Sequence, residues 1–420
     1  MRLQILLWQN KREHNLKVHI ATKHLTSVEF QEDFWISHNW LPCLACKKIY
    51  SRSRGHTCPL ATVLTSASDA QKSPSQNATQ MEQIKAVLPP LDLVLSAKIS
   101  VIKHLPKKVR PSVAKCLSTI FEEISANVSS EIGYNKLLVF PKLVLFSHKR
   151  AGKKKHNQLP NDILRRISLW NQGQFNDLWS QACATASSSC FKPNSKSNSS
   201  TSNVRRAKSL VKEGNFSKAL QALVSEGLAK LDDDTFQKLL TKHPVSDSAH
   251  LQHFLQDSDS VEPIQFSPEE VHNIISSFPK GSAAGNSLFR NEFLAECIAV
   301  DIPSVAQKFI NGYTTFLNIL AAGKAPISFS PYIAGGAGTA LSKKGGGVRP
   351  IVAGEVFRRH VSKGCCLKLR KEIQYHFELH QENAFNLIDR EAFLSQIAFH
   401  FPSLLPWVSY MCAHHSHIIF

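Results

Sequence analysis

The stretch Leu341-Ser-Lys-Lys-Gly-Gly-Gly-Val-Arg-Pro-Ile351 sets two lysines, a glycine triplet and an arginine close together in the chain. Lys343, Lys344 and Arg349 carry fixed positive charge, and the glycines between them let a backbone turn and come close to a bound group. The pattern predicts a hairpin whose cations face phosphates, the chemistry of nucleotide or nucleic-acid handling. A glycine run taken by itself is equally the composition of a plain surface turn.

A different chemistry is spelled near the start. Cys43-x2-Cys46 followed by His56 and Cys58 offers three thiolates and one imidazole, the ligand set of a closed tetrahedral zinc site. The Cys-x-x-Cys half suits a turn that presents both sulfurs to one ion. The His-x-Cys half must bend sharply, which Gly55 and Pro59 allow. Lys47, Lys48, Arg52 and Arg54 lie between the halves, so a bound metal would hold a basic loop in one shape. Four unligated residues in a reducing compartment are the competing reading. Earlier, Leu16-x2-His19-x4-His24 resembles the closing half of a Cys2His2 finger, but no cysteine stands where the opening half belongs.

Between His148 and His156, five basic residues (Lys149, Arg150, Lys153, Lys154 and Lys155) fall within seven positions. Such a run repels itself and stays solvated, as a nuclear-import signal, a phosphate-contacting patch or only a charged loop. Cys365-Cys366 has no His or acid at catalytic spacing and sits in a helical pattern where buried thiols are ordinary.

The elements that position these groups read as mostly helical. Pro111 suits a helix's first turn, after which Val113, Leu117, Ile120, Phe121 and Ile124 recur on one face. Leu137 to Phe146 is apolar enough for a buried strand or a buried helix, and periodicity does not decide. Asn161 is placed to cap a helix carrying Ile163, Leu164 and Ile167, with Trp170 and Trp179 nearby. Ala184 to Asn203 is serine-rich without apolar periodicity and reads as a linker. Two helices follow, Val204 to Glu213 and Phe216 to Glu226, parted by Gly214. Ser267-Pro-Glu-Glu270 is a strong helix start. Pro303 to Ala322 is a long apolar-faced helix, short strands come only around Thr339 to Ala353, and a helix with a basic face covers Glu355 to Tyr375. The expected organisation is a zinc-finger-like module over 1–60, a linker over 61–82, a helical region over 83–183, a serine-rich linker over 184–203 and a further region over 204–420. The fold class is α+β, mostly helical.

Composition limits the partners. Fifty Lys+Arg against 32 Asp+Glu give a formal charge of +18 over 420 residues, with a sequence pI near 9.5. That balance favours a polyanion through counterion release, and nucleic acid, RNA or DNA, is the simplest. A membrane surface ranks well below, because no basic stretch is joined to a long apolar face. Hydrophobic residues make up 43%, enough for real cores, and the ten cysteines are scattered, as in reduced intracellular proteins. No run of 18 apolar residues occurs, and Met1 to Gln9 is too short an apolar patch for a signal sequence, so a soluble, intracellular protein is expected, nuclear if the 149–155 cluster is an import signal.

Four blocks in order then carry a family resemblance. Phe278-Pro-Lys-Gly-Ser-Ala-Ala-Gly285 with Leu288 and Arg290 resembles the Pro-x-Gly-x-x-x-Gly-x-x-x-x-Arg block that precedes the fingers of non-LTR retrotransposon reverse transcriptases. Leu341 to Ile351 with Gly354-Glu-Val-Phe-Arg-Arg359 resembles the fingers segment itself. Glu382-Asn-Ala-Phe-Asn-Leu-Ile-Asp-Arg390 and Phe401-Pro-Ser-Leu-Leu-Pro-Trp-Val408 resemble the first catalytic block of the palm and the helix after it. More closely still, the region over roughly 204–420 looks like retrotransposon-derived reading frames of animal genomes. The resemblance implies that Lys344, with Lys343 as the competing register, and Arg349 contact an incoming triphosphate.

The departures from that family limit the chemistry. Its metal-holding aspartate stands four residues before the Ala-Phe pair, where this chain has His380. Asp389 lies nine residues beyond that position, no Tyr/Phe-x-Asp-Asp turn follows, and only His376 to Gln381 separate the fingers-like helix from the palm block. Two-metal phosphoryl transfer needs hard carboxylate ligands. The expectation is a truncated, internally shortened, catalytically inactive remnant that keeps nucleic-acid binding and takes up structural zinc but not magnesium. The alternative is a zinc-containing, nucleic-acid-binding regulatory protein.

Overall fold

The computed structural model describes residues 40–42, 49–51, 87–147, 153–190, 199–212, 214–230, 232–242, 251–343, 345–376, 389–412, 416 and 418–419. Two compact units divide the chain, Met1–Gln83 and Ile84–Phe420. In the first, β1 (Trp40–Pro42) and β2 (Ile49–Ser51) pair antiparallel, with Trp40 opposite Ser51 and Pro42 opposite Ile49.

The second unit is mostly helical. In chain order it contains α1 (Leu91–Ser96), α2 (Arg110–Ala126), α3 (Glu131–Val144), α4 (Lys153–Asn171), α5 (Phe175–Cys190), α6 (Ser199–Lys212), α7 (Phe216–Leu223), α8 (Asp233–Lys242) and α9 (His253–Ser258). There follow α10 (Pro268–Ser276), α11 (Asn291–Ile298), α12 (Pro303–Ala321), α13 (Ser330–Ala334), β3 (Gly336–Ser342), β4 (Val348–Gly354), α14 (Val356–Lys368), α15 (Arg370–His376), α16 (Arg390–His400), α17 (Leu405–Cys412) and β5 (Ile418–Ile419). The three strands form one mixed sheet in the order β4-β3-β5, antiparallel between β3 and β4 and parallel between β3 and β5.

Helix α2 forms where its proline and periodicity place it, and Val113, Leu117, Ile120, Phe121 and Ile124 are all buried. It packs lengthwise on α12, where Phe121 meets Phe309, Tyr313 and Phe316 at ring-centroid distances of 5.9, 5.4 and 5.5 Å. Gly312 makes this crossing possible, since a Cβ there would stand 3.2 Å from the Phe121 Cβ. The helices before residue 184 and the elements from 264 to 410 therefore share one hydrophobic core, although composition separates them.

Several local expectations are corrected. Leu137 to Phe146 is helical as far as Val144, and α3 buries every residue from Leu137 to Val144, so neither period could show. The end of that helix is closed by a buried arginine from α4: Arg166 Nη1 donates to Val144 O at 3.2 Å and Phe146 O at 2.7 Å. Asn161 is not a cap. Helix α4 starts at Lys153 and runs through Pro160, leaving Asn161 exposed with its Oδ1 accepting from Lys108 Nζ at 2.9 Å. The serine-rich stretch is helical at both ends, in α5 to Cys190 and in α6 from Ser199. Serine and threonine can satisfy themselves on the previous turn there, as Thr185 Oγ1 does on Gln181 O at 2.9 Å.

The start of α10 is as its sequence predicts. Ser267 Oγ accepts from Glu270 N, and the Glu270 carboxylate accepts from Ser267 N, a complete capping box. Among the described residues no helix is long and apolar enough to cross a membrane.

Helix α14 is joined to α12 by a buried pair, with Tyr313 Oη 2.8 Å from His360 Nδ1. Burial, then the nearby Arg359 and Lys363 charges, push the imidazole from its ordinary 6.5 down to about 3. A depressed folded value means that the unfolded chain takes the proton first, so stability is full above pH 6.5 and is lost as the pH falls towards 3. Urea midpoints between pH 7 and pH 4.5 should therefore fall more steeply for the native chain than for His360→Phe; parallel profiles would mean that this histidine does not carry the acid sensitivity.

Candidate nucleic-acid interface

The lysine- and glycine-rich segment is the tip of the β3–β4 hairpin. Leu341 lies opposite Arg349 and Ser342 opposite Val348, after which Lys343 N donates to Gly347 O at 2.8 Å and Gly346 N to Lys343 O at 3.2 Å. Gly345 and Gly346 have φ of +86° and +81°, and a Cβ on either would meet nothing within 4 Å among the described residues. These glycines are needed for the handedness of the turn and not for space at the tip.

The close approaches lie at the other end of the hairpin. A Cβ on Gly336 would come within 2.5 Å of Ala353 O, and one on Gly354 would run into the Arg358 guanidinium. Arg358 donates to Ala334 O and so fastens α14 to the end of α13, just before β3.

Strand period two gives the hairpin two unlike faces. On one, Val348 packs with Ala229 and Leu239 of α8, with Ala340 beside them. On the other, Arg349, Ile351 and Thr339 are exposed. A further extended stretch borders β3 near the tip: Ser342 N donates to Gly227 O and Ala229 N to Ala340 O, both at 3.0 Å.

Lys343 and Arg349 are both exposed, and neither side chain has a hydrogen-bonding or acidic partner among the described residues. A third cation joins them that no local pattern could indicate. Lys238 of α8 reaches the tip, its Nζ 3.3 Å from Gly346 O and 2.7 Å from Asp234 Oδ2, across 108 residues of chain. Lys344 lies outside the described residues, as do Lys149, Arg150, His380, Cys43, Cys46, His56 and Cys58. Lys153, Lys154 and Lys155 form the first turn of α4.

The first two resemblance blocks are packed against each other. A Cβ on Gly285 would fall 2.5 Å from Glu355 Oε1, and Glu355 accepts from Ser287 N at 2.9 Å and Ser287 Oγ at 2.6 Å. Burial raises the Glu355 pKa, and the two Ser287 bonds oppose the rise. Arg359 donates to Ala283 O at 2.7 Å, and Lys363 to Ser277 O at 2.8 Å, so one side of α14 grips the loop after α10. Both cations also lie over the Phe278 ring, at 5.2 and 5.5 Å.

Asp389, set aside as a metal ligand on sequence grounds, caps α16 by accepting from Ala392 N at 3.0 Å. Among the described residues no group of three or more His, Cys, Asp or Glu side chains could hold a metal ion. The four Cys and His residues proposed for zinc are outside them. Their test is direct: the purified chain should carry one zinc that is lost in Cys46→Ser, and equal metal content in both would remove the assignment.

Neither a family model, nor a curated protein, nor a solved structure matches this chain.

Proposed function

We propose that this chain is a reverse-transcriptase-like, retrotransposon-derived protein that binds nucleic acid through the β3–β4 hairpin without performing polymerase chemistry. Lys343 and Arg349 carry this conclusion, because both stand exposed beside a tight turn and neither side chain is paired with an acid among the described residues. One face of the hairpin is anchored on α8 and its base on α14, so the cations are held in a fixed relation instead of on a free loop. A fixed array of this kind suits successive phosphates of a strand.

The packing of Gly285 on Glu355, and of Arg359 and Lys363 on the 277–283 loop, gives further support, since the two blocks that resemble the family sit together. The overall charge of +18 adds a long-range attraction for the same class of ligand.

Salt titration tests the proposal. Binding of single-stranded RNA and duplex DNA should weaken steeply with salt, and Lys343→Gln or Arg349→Gln should each reduce the log–log slope by about one. A slope unchanged in both variants would remove the hairpin as the interface.

A further inference from the structure

We infer that a recess between the 98–101 segment and the 288–290 segment is a second anion site, built to take a phosphate group. The open recess has a volume of about 390 Å³ and is lined by Lys98, Ile99, Ser100, Val101, Leu288 and Arg290. That is room for a phosphate together with part of the molecule that carries it.

Charge is the first reason. Arg290 is half-buried and Lys98 exposed, and among the described residues neither side chain has a hydrogen-bonding or acidic partner. The acids that follow Arg290 on α11 make their contacts elsewhere: Glu292 Oε1 accepts from Gly281 N at 2.7 Å, and Glu296 accepts from Leu105 N and pairs with Arg110 and His104. Two cations lining one recess without a paired acid raise its positive potential, which draws an anion to it. Arginine, lysine and serine are side-chain types that bind phosphate oxygens, and all three line this recess.

Construction is the second reason. Leu288 has φ of +62°, the one non-glycine among the described residues in the left-handed region. It is held there from both sides, by its own N–H on Gly285 O at 3.1 Å and by Ser287, whose Oγ accepts from Phe289 N at 3.0 Å while donating to the buried Glu355. A leucine stays in this conformation only where its surroundings over-determine it, and such residues gather at ligand clamps. Here the consequence of the strained turn is to deliver Leu288 and Arg290 to the same recess. None of the hairpin cations lines the recess.

Calorimetry on the full chain with inorganic pyrophosphate, paired with RNA salt titration, tests this. Lys98→Gln and Arg290→Gln should each weaken pyrophosphate binding about tenfold or more, and Arg290→Lys should fall between. A loss of pyrophosphate binding with an unaltered RNA salt slope identifies a free phosphate compound as the ligand. A reduced RNA slope without pyrophosphate binding identifies the nucleic-acid backbone. If both measurements are the same in the native chain and in the Lys98 and Arg290 variants, the site is overturned, whatever the Lys343 and Arg349 variants do. Far-UV circular dichroism guards against misfolding, and exposed Lys98 keeps the test decisive should Arg290→Gln fail to fold.

Discussion

Phe121→Ala is expected to destabilise the whole of the second unit by about 3–5 kcal/mol, as for other large aromatic truncations in well-packed cores. Phe121 is fully buried and touches three aromatic rings of α12, so its loss leaves a void that α2 and α12 cannot close without parting elsewhere. The nearby Gly312 already brings the backbones close, which leaves little freedom for collapse. Because the core runs through both the helices before residue 184 and the elements after 264, unfolding should be one transition by fluorescence and by circular dichroism, and the mutation should move all of it. Two transitions, with only one displaced, would mean that these segments are separately stable and merely in contact.

That shared core marks the boundary of what the sequence discloses. Local signals were legible wherever one residue or one period decides an outcome. The Ser267 capping box, the proline and apolar stripe of α2, the long face of α12 and the glycine turn of the hairpin all stand where their residues put them. Leu137 to Val144 was ambiguous because an element buried on all sides has no period to display. The serine-rich stretch misleads in the opposite way, since its composition is that of a linker while α5 and α6 extend into it. Asn161 offers a good cap in a chain that had already begun its helix at Lys153.

The candidate interface divides similarly. Lys343 and Arg349 could be named from their spacing alone. Lys238 could not, because its approach to Gly346 is set by tertiary packing of α8 beneath the hairpin. Nor could the use of Gly336 and Gly354, where the missing Cβ atoms admit a carbonyl and a guanidinium. Gly345 and Gly346 of the conspicuous triplet act through their dihedral angles, whereas these two inconspicuous ones act through space. Arg290 was visible as a resemblance position, but its recess depends on a segment nearly two hundred residues earlier.

Primer extension by the purified 420-residue chain is expected to be absent with either magnesium or manganese, and His380→Asp is expected not to restore it. Two-ion phosphoryl transfer requires carboxylates that fix both metals, one for the attacking and one for the leaving oxygen. At position 380, where the family resemblance calls for a carboxylate, this chain has histidine, a softer ligand better matched to zinc than to magnesium. Asp389 cannot substitute while its side chain holds the first turn of α16. A single restored aspartate would still stand without the Asp-Asp pair that the same chemistry demands. Binding and catalysis should therefore separate: the native chain should retain a salt-sensitive affinity for RNA that Lys343→Gln and Arg349→Gln diminish, with no template-dependent product at any metal concentration. Extension by the native chain, abolished by Lys344→Ala with Arg349→Ala, would place a working metal site in this protein and refute the separation.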